Sequence, residues 1–265
     1  MKVHYYIIFL ALFTFNLNAQ GYTVEKQGNI TSINNNADVV SYTGKKNDPN
    51  YVVSLKTKYN GLKDTAKIDQ LLKQQNYIEV LNHLWTEPDA NKRRQWLEAR
   101  VNQGHPILMF ELGEEYYAQN PTIQTFVLKT MPWLMSGTRR TLIDAACTSD
   151  QSVMAAPELL LVTYRDRVLN DLLVKNSQED LQKFITENSK EFQKNNIAIL
   201  KQVLTPLVGP NADSLPSASW VYPHGLAAFT GSKNTIPATQ CTELRKKEAQ
   251  QFLDQISKME ETLKN

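Results

Sequence analysis

The chain has 265 residues, 42% of them hydrophobic, and a formal net charge of +2. That is enough apolar material for a real core in one large or two small domains. A charge so close to balance argues against a nucleic-acid partner, whose binders carry a strong basic excess.

Lys2 and His4 precede an apolar run from Tyr5 to Phe15, and Asn16 to Ala19 then supplies a polar end closed by a small residue. This is the layout of a secretory signal peptide over residues 1–19, cleaved after Ala19. Leu17, three positions before the cut, is larger than usual there. The run is too short to span a bilayer and lacks a basic stop, so no stable membrane insertion is expected after cleavage. No cysteine follows the cleavage point, which argues against a lipoprotein. An exported protein, periplasmic or secreted, is the expectation.

Residues 20–60 read as a polar N-terminal arm punctuated by Gly21, Gly28, Gly44, Asn34-Asn-Asn36 and Asp48-Pro49-Asn50. Val39-Val40 and Tyr51–Leu55 are compatible with short strands or an extended segment lying on the rest, and equally with a mobile tail. Residues 61–265 read as a single helical domain. Asp64 is placed to cap a helix over Thr65–Gln75, and a second runs from Tyr77 to Trp85. His83 lies within it as an ordinary surface or packed residue. Asp89 caps a third helix beginning at Ala90, with Leu97 and Val101 one turn apart and Lys92, Arg93 and Glu98 toward solvent.

The following corner is Gly104-His105-Pro106. Gly104 stands where a left-handed residue ends a helix, and Pro106 suits the first turn of the next. In that helix Leu108, Leu112 and Tyr116 repeat at helical spacing. Gly113 in its interior costs about 1 kcal/mol against alanine, which points to close approach of a neighbouring helix. So short a link demands an antiparallel pair. Ala99-Arg-Val-Asn-Gln-Gly104-His105, followed by Leu112-Gly113-Glu-Glu-Tyr116-Tyr117, resembles the first half of a Sel1-like repeat, a relative of the tetratricopeptide repeats. The glycine-rich turn that usually follows is replaced by Ala118-Gln-Asn-Pro121, and no second copy stands at a fixed spacing. The resemblance implies one divergent repeat rather than an array, in a domain that binds protein on helical surfaces.

Beyond the hairpin, Asn120-Pro121 reads as a helix start leading through Ile123, Phe126, Val127 and Met131. Pro132 should break or kink that helix, and Gly137-Thr138 should restart one running to Cys147. Leu159–Val174 is a strong helical segment. Ser177 or Asp180 then opens one long helix through Val203 that stops before Pro206. Residues 205–241 interrupt the pattern with five of the eleven prolines, and a long loop of this kind is often functional. Its Trp220, Tyr222, His224 and Phe229 are candidate partner-binding residues, or aromatic plugs of the core. A final helix spans Thr242–Leu263 with a charged outer face. The clusters Lys92-Arg-Arg94, Arg139-Arg140 and Arg245-Lys-Lys247 read as solvated faces. The fold class is therefore all-α: layered antiparallel αα-hairpins with a polar N-terminal extension and a long loop before the last helix.

Cys147 and Cys241 are the only cysteines. An even count in an exported chain, without metal spacing, points to one disulfide. There is no H-E-x-x-H, G-x-S-x-G, Walker loop or paired-cysteine motif, so no metal, cofactor or catalytic residue is expected. Glu111, Glu114 and Glu115 read as solvated helix-surface groups, and His105 as a corner residue bonding leftover backbone groups. The expected function is binding of another protein, of the inhibitor or immunity kind that neutralises an envelope-directed enzyme or toxin. The alternative is an envelope hydrolase using these glutamates and His105 or His224.

Overall fold

A computed structural model describes residues 39–148, 153, 155–216 and 236–264. The signal segment, residues 20–38, and Trp220, Tyr222, His224 and Phe229 lie outside the described residues. Among the described residues every regular element is a helix.

The segment where the sequence allowed strands is helical instead: α1 is Val39–Gly44 and α2 is Pro49–Leu55, joined by a 3-10 turn, Lys45–Asn47. The reason is local. Asp48 accepts from the backbone N–H groups of Asn50 and Tyr51, and Pro49 occupies the first turn, so the Asp-Pro pair starts a helix rather than a loop. α1 packs on α4 and α8, defined below, so this part of the polar arm belongs to the helical assembly. Helix α3, Thr65–Lys73, is capped by Asp64, α4, Tyr77–Thr86, by Asn76, and α5, Ala90–Glu98, by Asp89. After a 3-10 turn, Val101–Gln103, Gly104 takes φ 86° and α6 runs from Pro106 to Gln119. The left-handed corner and the first-turn proline thus form as expected, and α5 packs against α6.

Helix α7 is composite: Ile123–Thr125, a π-helical turn Phe126–Thr130, and Met131–Ala145 follow without a gap. Its cap is Thr122, which accepts from Thr125 N–H, rather than Asn120. Pro132 does not break it. Proline cannot donate to the carbonyl four residues back, and that carbonyl, Leu128, instead accepts from Asn195 Nδ2 at 3.1 Å. The widened turn ends two residues before the proline, within the turn its ring must clear. Helix α8 is Ala156–Lys175. The single long helix expected from Ser177 to Val203 is two: α9, Gln178–Glu187, with a Ser177–Asp180 capping box, and α10, Ser189–Val208. Asn188 divides them, its side chain donating to Phe184 O at 2.9 Å. α10 also continues through Pro206, where burial of Leu204 and Leu207 holds the last turn. A 3-10 turn, Ala212–Ser214, and α11, Ala238–Lys264, complete the order.

At the centre α6 crosses α7, with α5, α8, α10 and α11 packed around the pair. α6 is not the amphipathic rod its Leu108–Leu112–Tyr116 stripe suggested; Pro106 to Gly113, Glu115 and Tyr117 are all buried. Each helix lends a glycine to the crossing. A Cβ on Gly113 would lie 3.0 Å from Thr130 O and 3.1 Å from Leu134, and Thr130 Oγ1 donates to Gly113 O at 2.9 Å. A Cβ on Gly137 would lie 2.8 Å from the fully buried ring of Phe110. Gly137→Ala gains about 1 kcal/mol of helix propensity but must displace that ring. Overpacking should win, with a net loss of about 1–3 kcal/mol read as a lower urea midpoint.

Cys147 and Cys241 are joined, with an S–S distance of 2.01 Å, and Ile236 packs on the bridge. No described helix is long and apolar enough to cross a membrane.

Candidate functional site

Because α6 is enclosed on nearly all sides, its carboxylates cannot all reach water. Glu111 is 2% exposed and Glu115 6%, which corrects the reading of these glutamates as solvated. Buried carboxylates need hydrogen-bond and charge partners, and neighbouring segments supply them. Lys46, from the turn after α1, donates to Glu111 at 2.8 Å and to Glu114 at 3.0 Å. Trp85 Nε1–H on α4 donates to Glu111, with both carboxylate oxygens at 3.2 Å. The Tyr164 hydroxyl on α8 donates to Glu111 at 2.5 Å. Arg167, one turn further on α8, donates to Glu114 at 3.0 Å and to Thr43 O. Arg93 on α5 grips Glu115 with two donors, at 2.8 and 3.0 Å.

These residues frame a cleft of about 260 Å³ lined by Lys46, Val52, Leu84, Trp85, Arg93, Glu111, Glu114, Glu115 and Ala118. Trp85 forms its aromatic wall, stacked on Tyr42 with centroids 5.0 Å apart. Val52, half-buried on α2, adds an aliphatic side chain to the lining. Burial by itself would raise the Glu111 pKa, but Lys46 and Arg167 outweigh it and hold the carboxyl below its usual range. Burial would likewise lower Lys46, and Glu111 and Glu114 outweigh it and raise the ammonium. The charges therefore lock one another in their ionised forms. In chemical terms the arrangement presents an ordered set of charges beside an aromatic wall. Among the described residues its lining contains no imidazole, and each of its three glutamates is paired with a cation.

The expected corner residues lie elsewhere. His105 is 3% exposed and makes no backbone cap; its Nδ1 is hydrogen-bonded to the Tyr77 hydroxyl at 2.8 Å. The ring is placed for this by its N-cap position on α6, facing the first residue of α4. His83 is packed, with Nδ1 3.0 Å from Gly61 O. Glu87 is also buried, accepting from Leu62 N–H at 2.9 Å and from Lys92 at 3.0 Å. Arg140 and Arg245, read as solvated, are 0% and 4% exposed. Lys46, Trp85, Tyr164 and Arg167 were not anticipated at all. A signal existed for Glu111: it sits inside Ile107–Leu112, an apolar run covering every helix face, where a carboxylate has nowhere to go but inward.

Burial, and then the Arg140 charge, push the His105 pKa down to about 4 from 6.5. An unfolded chain therefore takes up this proton first as pH falls. The stabilisation is complete above about pH 6.5 and is lost as pH drops toward 4, by about 3 kcal/mol. His105→Gln should flatten the stability profile over that interval relative to the parent, in urea titrations at stepped pH.

Comparison with protein-family models, with curated proteins and with solved structures finds no match. The class is therefore defined by the molecule itself: an all-α protein with a crossed glycine-containing helix pair, one disulfide and a charge-paired cleft.

Proposed function

We propose that the chain is an exported, helical protein-binding module without catalysis, of the inhibitor or immunity type, directed at an envelope enzyme or toxin. The Sel1-like hairpin is proposed as one divergent protein-binding repeat within it. The observation that carries this reading is the pairing in the cleft. Glu111 is held ionised by Lys46, Arg167 and two neutral donors, and Glu114 and Glu115 are each engaged by a cation. A general acid needs a proton near neutral pH and a general base needs a free lone pair at the substrate. Carboxylates locked in ion pairs serve recognition better, since they present fixed charges at no reorganisation cost on binding. The aromatic wall of Trp85 and the half-buried Val52 supply the apolar contact that protein interfaces use. The disulfide supports an oxidising compartment.

The test is capture from periplasmic extract with the mature chain as bait. Wild type is compared with Val52→Asp in the cleft lining and with a Trp220→Ala/Tyr222→Ala chain. A discrete protein retained by wild type and lost from either variant is the expected result. Turnover of a cell-wall or lipid substrate that disappears in Glu114→Gln would reverse the reading in favour of the hydrolase alternative.

A further inference from the structure

The corner at Gly104 closes over a second polar centre, separate from the cleft. Arg140 and Asp144 stand one turn apart on α7, and Arg245 reaches the same carboxylate from α11. Arg140 is 0%, Asp144 1% and Arg245 4% exposed. Arg140 Nη2 lies 3.3 Å, and Arg245 Nε 3.1 Å, from Asp144 Oδ1. Both approaches are too misaligned to count as hydrogen bonds. All three guanidinium nitrogens of Arg140, and Nε and Nη2 of Arg245, are buried with no hydrogen-bond partner.

Guanidinium groups do not shed their charge in proteins. Two positive charges therefore share one carboxylate, and a buried cation without compensation is strongly unfavourable. Among the described residues no second carboxylate is paired with either guanidinium. Tyr77 is fully buried and keeps its phenol proton, because burial and then the Asp144 charge raise its pKa. A Cβ on Gly104 would sit 3.5 Å from Arg140 Nη1 and 3.4 Å from Leu215 and Pro216, so the corner is shut against the guanidinium.

We propose that Arg140 and Arg245 together bind one small oxyanion of the sulfate or phosphate class, enclosed beneath the hairpin corner. Planar guanidinium forks are built to donate in pairs to such oxygens, and donors arriving from two helices call for acceptor oxygens on more than one side. The anion would balance the buried charge and tie α7 to α11 one turn from the Cys147–Cys241 bridge. This inference stands apart from the binding function proposed for the cleft.

The test is a melting series on the purified full chain, dialysed into chloride buffer. Sodium sulfate and sodium phosphate are each titrated through the millimolar range at constant ionic strength, and native mass spectrometry reports any retained oxyanion. The expected result is either a saturable rise in Tm of roughly 5 °C or one oxyanion already bound. Either should vanish in Arg245→Gln and persist in Lys247→Gln, which alters an exposed charge on the same helix. General salt stabilisation by surface exclusion does not saturate at millimolar levels. A non-saturating response, or one retained by Arg245→Gln, would overturn the proposal. If that variant fails to fold, wild type decides alone: no saturable rise and no bound oxyanion means the centre holds only water.

Discussion

Replacing Glu111 with leucine should cost about 3–5 kcal/mol, the range for breaking a buried ion pair by removing one partner. The loss would come from what stays behind. Lys46 would keep only Glu114, and the Trp85 indole and Tyr164 hydroxyl would lose their acceptor. Buried donors without acceptors carry their full desolvation cost. Urea unfolding followed by circular dichroism measures it, and a loss below about 1 kcal/mol would show that the network is energetically idle. Glu111→Gln, which keeps the shape and can still accept, should cost less. Adding Lys46→Met to Glu111→Leu should recover part of the loss, because the two sites share one interaction. The pH dependence has a definite sign. The Glu111 pKa is depressed on folding, so its contribution is present above the unfolded value of 4.5 and disappears as pH falls through the lower folded value. The Lys46 pKa is raised, so its contribution is present below 10.5 and disappears as pH rises through the higher folded value. Glu111→Leu should therefore lose most relative to wild type between these limits, and the two should converge in acid.

A Cys147→Ser/Cys241→Ser chain should be less stable by about 4.7 kcal/mol if loop closure of the unfolded chain dominates. The bridge spans a sequence separation of 94 residues, so reduction releases a large share of the unfolded ensemble. The folded state would also feel it. Cys147 lies just past the end of α7 and Cys241 in the first turn of α11, where Ile236 covers the bridge. Freeing that end loosens the helix that carries Arg245. Oxidised and reduced wild type, unfolded in parallel, should differ by the same amount as wild type and the double variant. Equal midpoints would mean that helix packing alone holds α11 in place.

Much of the local architecture was legible because its causes are local. Asp64 and Asp89 cap the helices they precede, since a short carboxylate just before a helical run can reach only its first backbone donors. Gly104 adopts the left-handed corner and Pro106 the first turn for equally short-range reasons. Gly113 marked a close helix approach, and Thr130 and Leu134 are its neighbours. The failures share one origin. Assigning every charged residue to a solvent face placed Glu111, Arg140 and Arg245 outside, and the apolar stripe of α6 hid the fact that all its faces are covered. Pro132 was read as a break because its rescue, the Asn195 side chain on a distant helix, has no local trace.

What the amino-acid order settled by itself was where helices begin, where the chain must turn back, and that two cysteines were available to pair. Those outcomes depend on contacts within a few residues. Tertiary structure alone decided which charges are buried and with whom. Lys46 and Glu111 are 65 positions apart, and Glu114 and Arg167 53. A carboxylate on a rod has the same neighbours in sequence whether it faces water or a lysine from another segment. Only the packing of α1, α4 and α8 around α6 excludes the water and turns a row of glutamates into a charge-locked cleft.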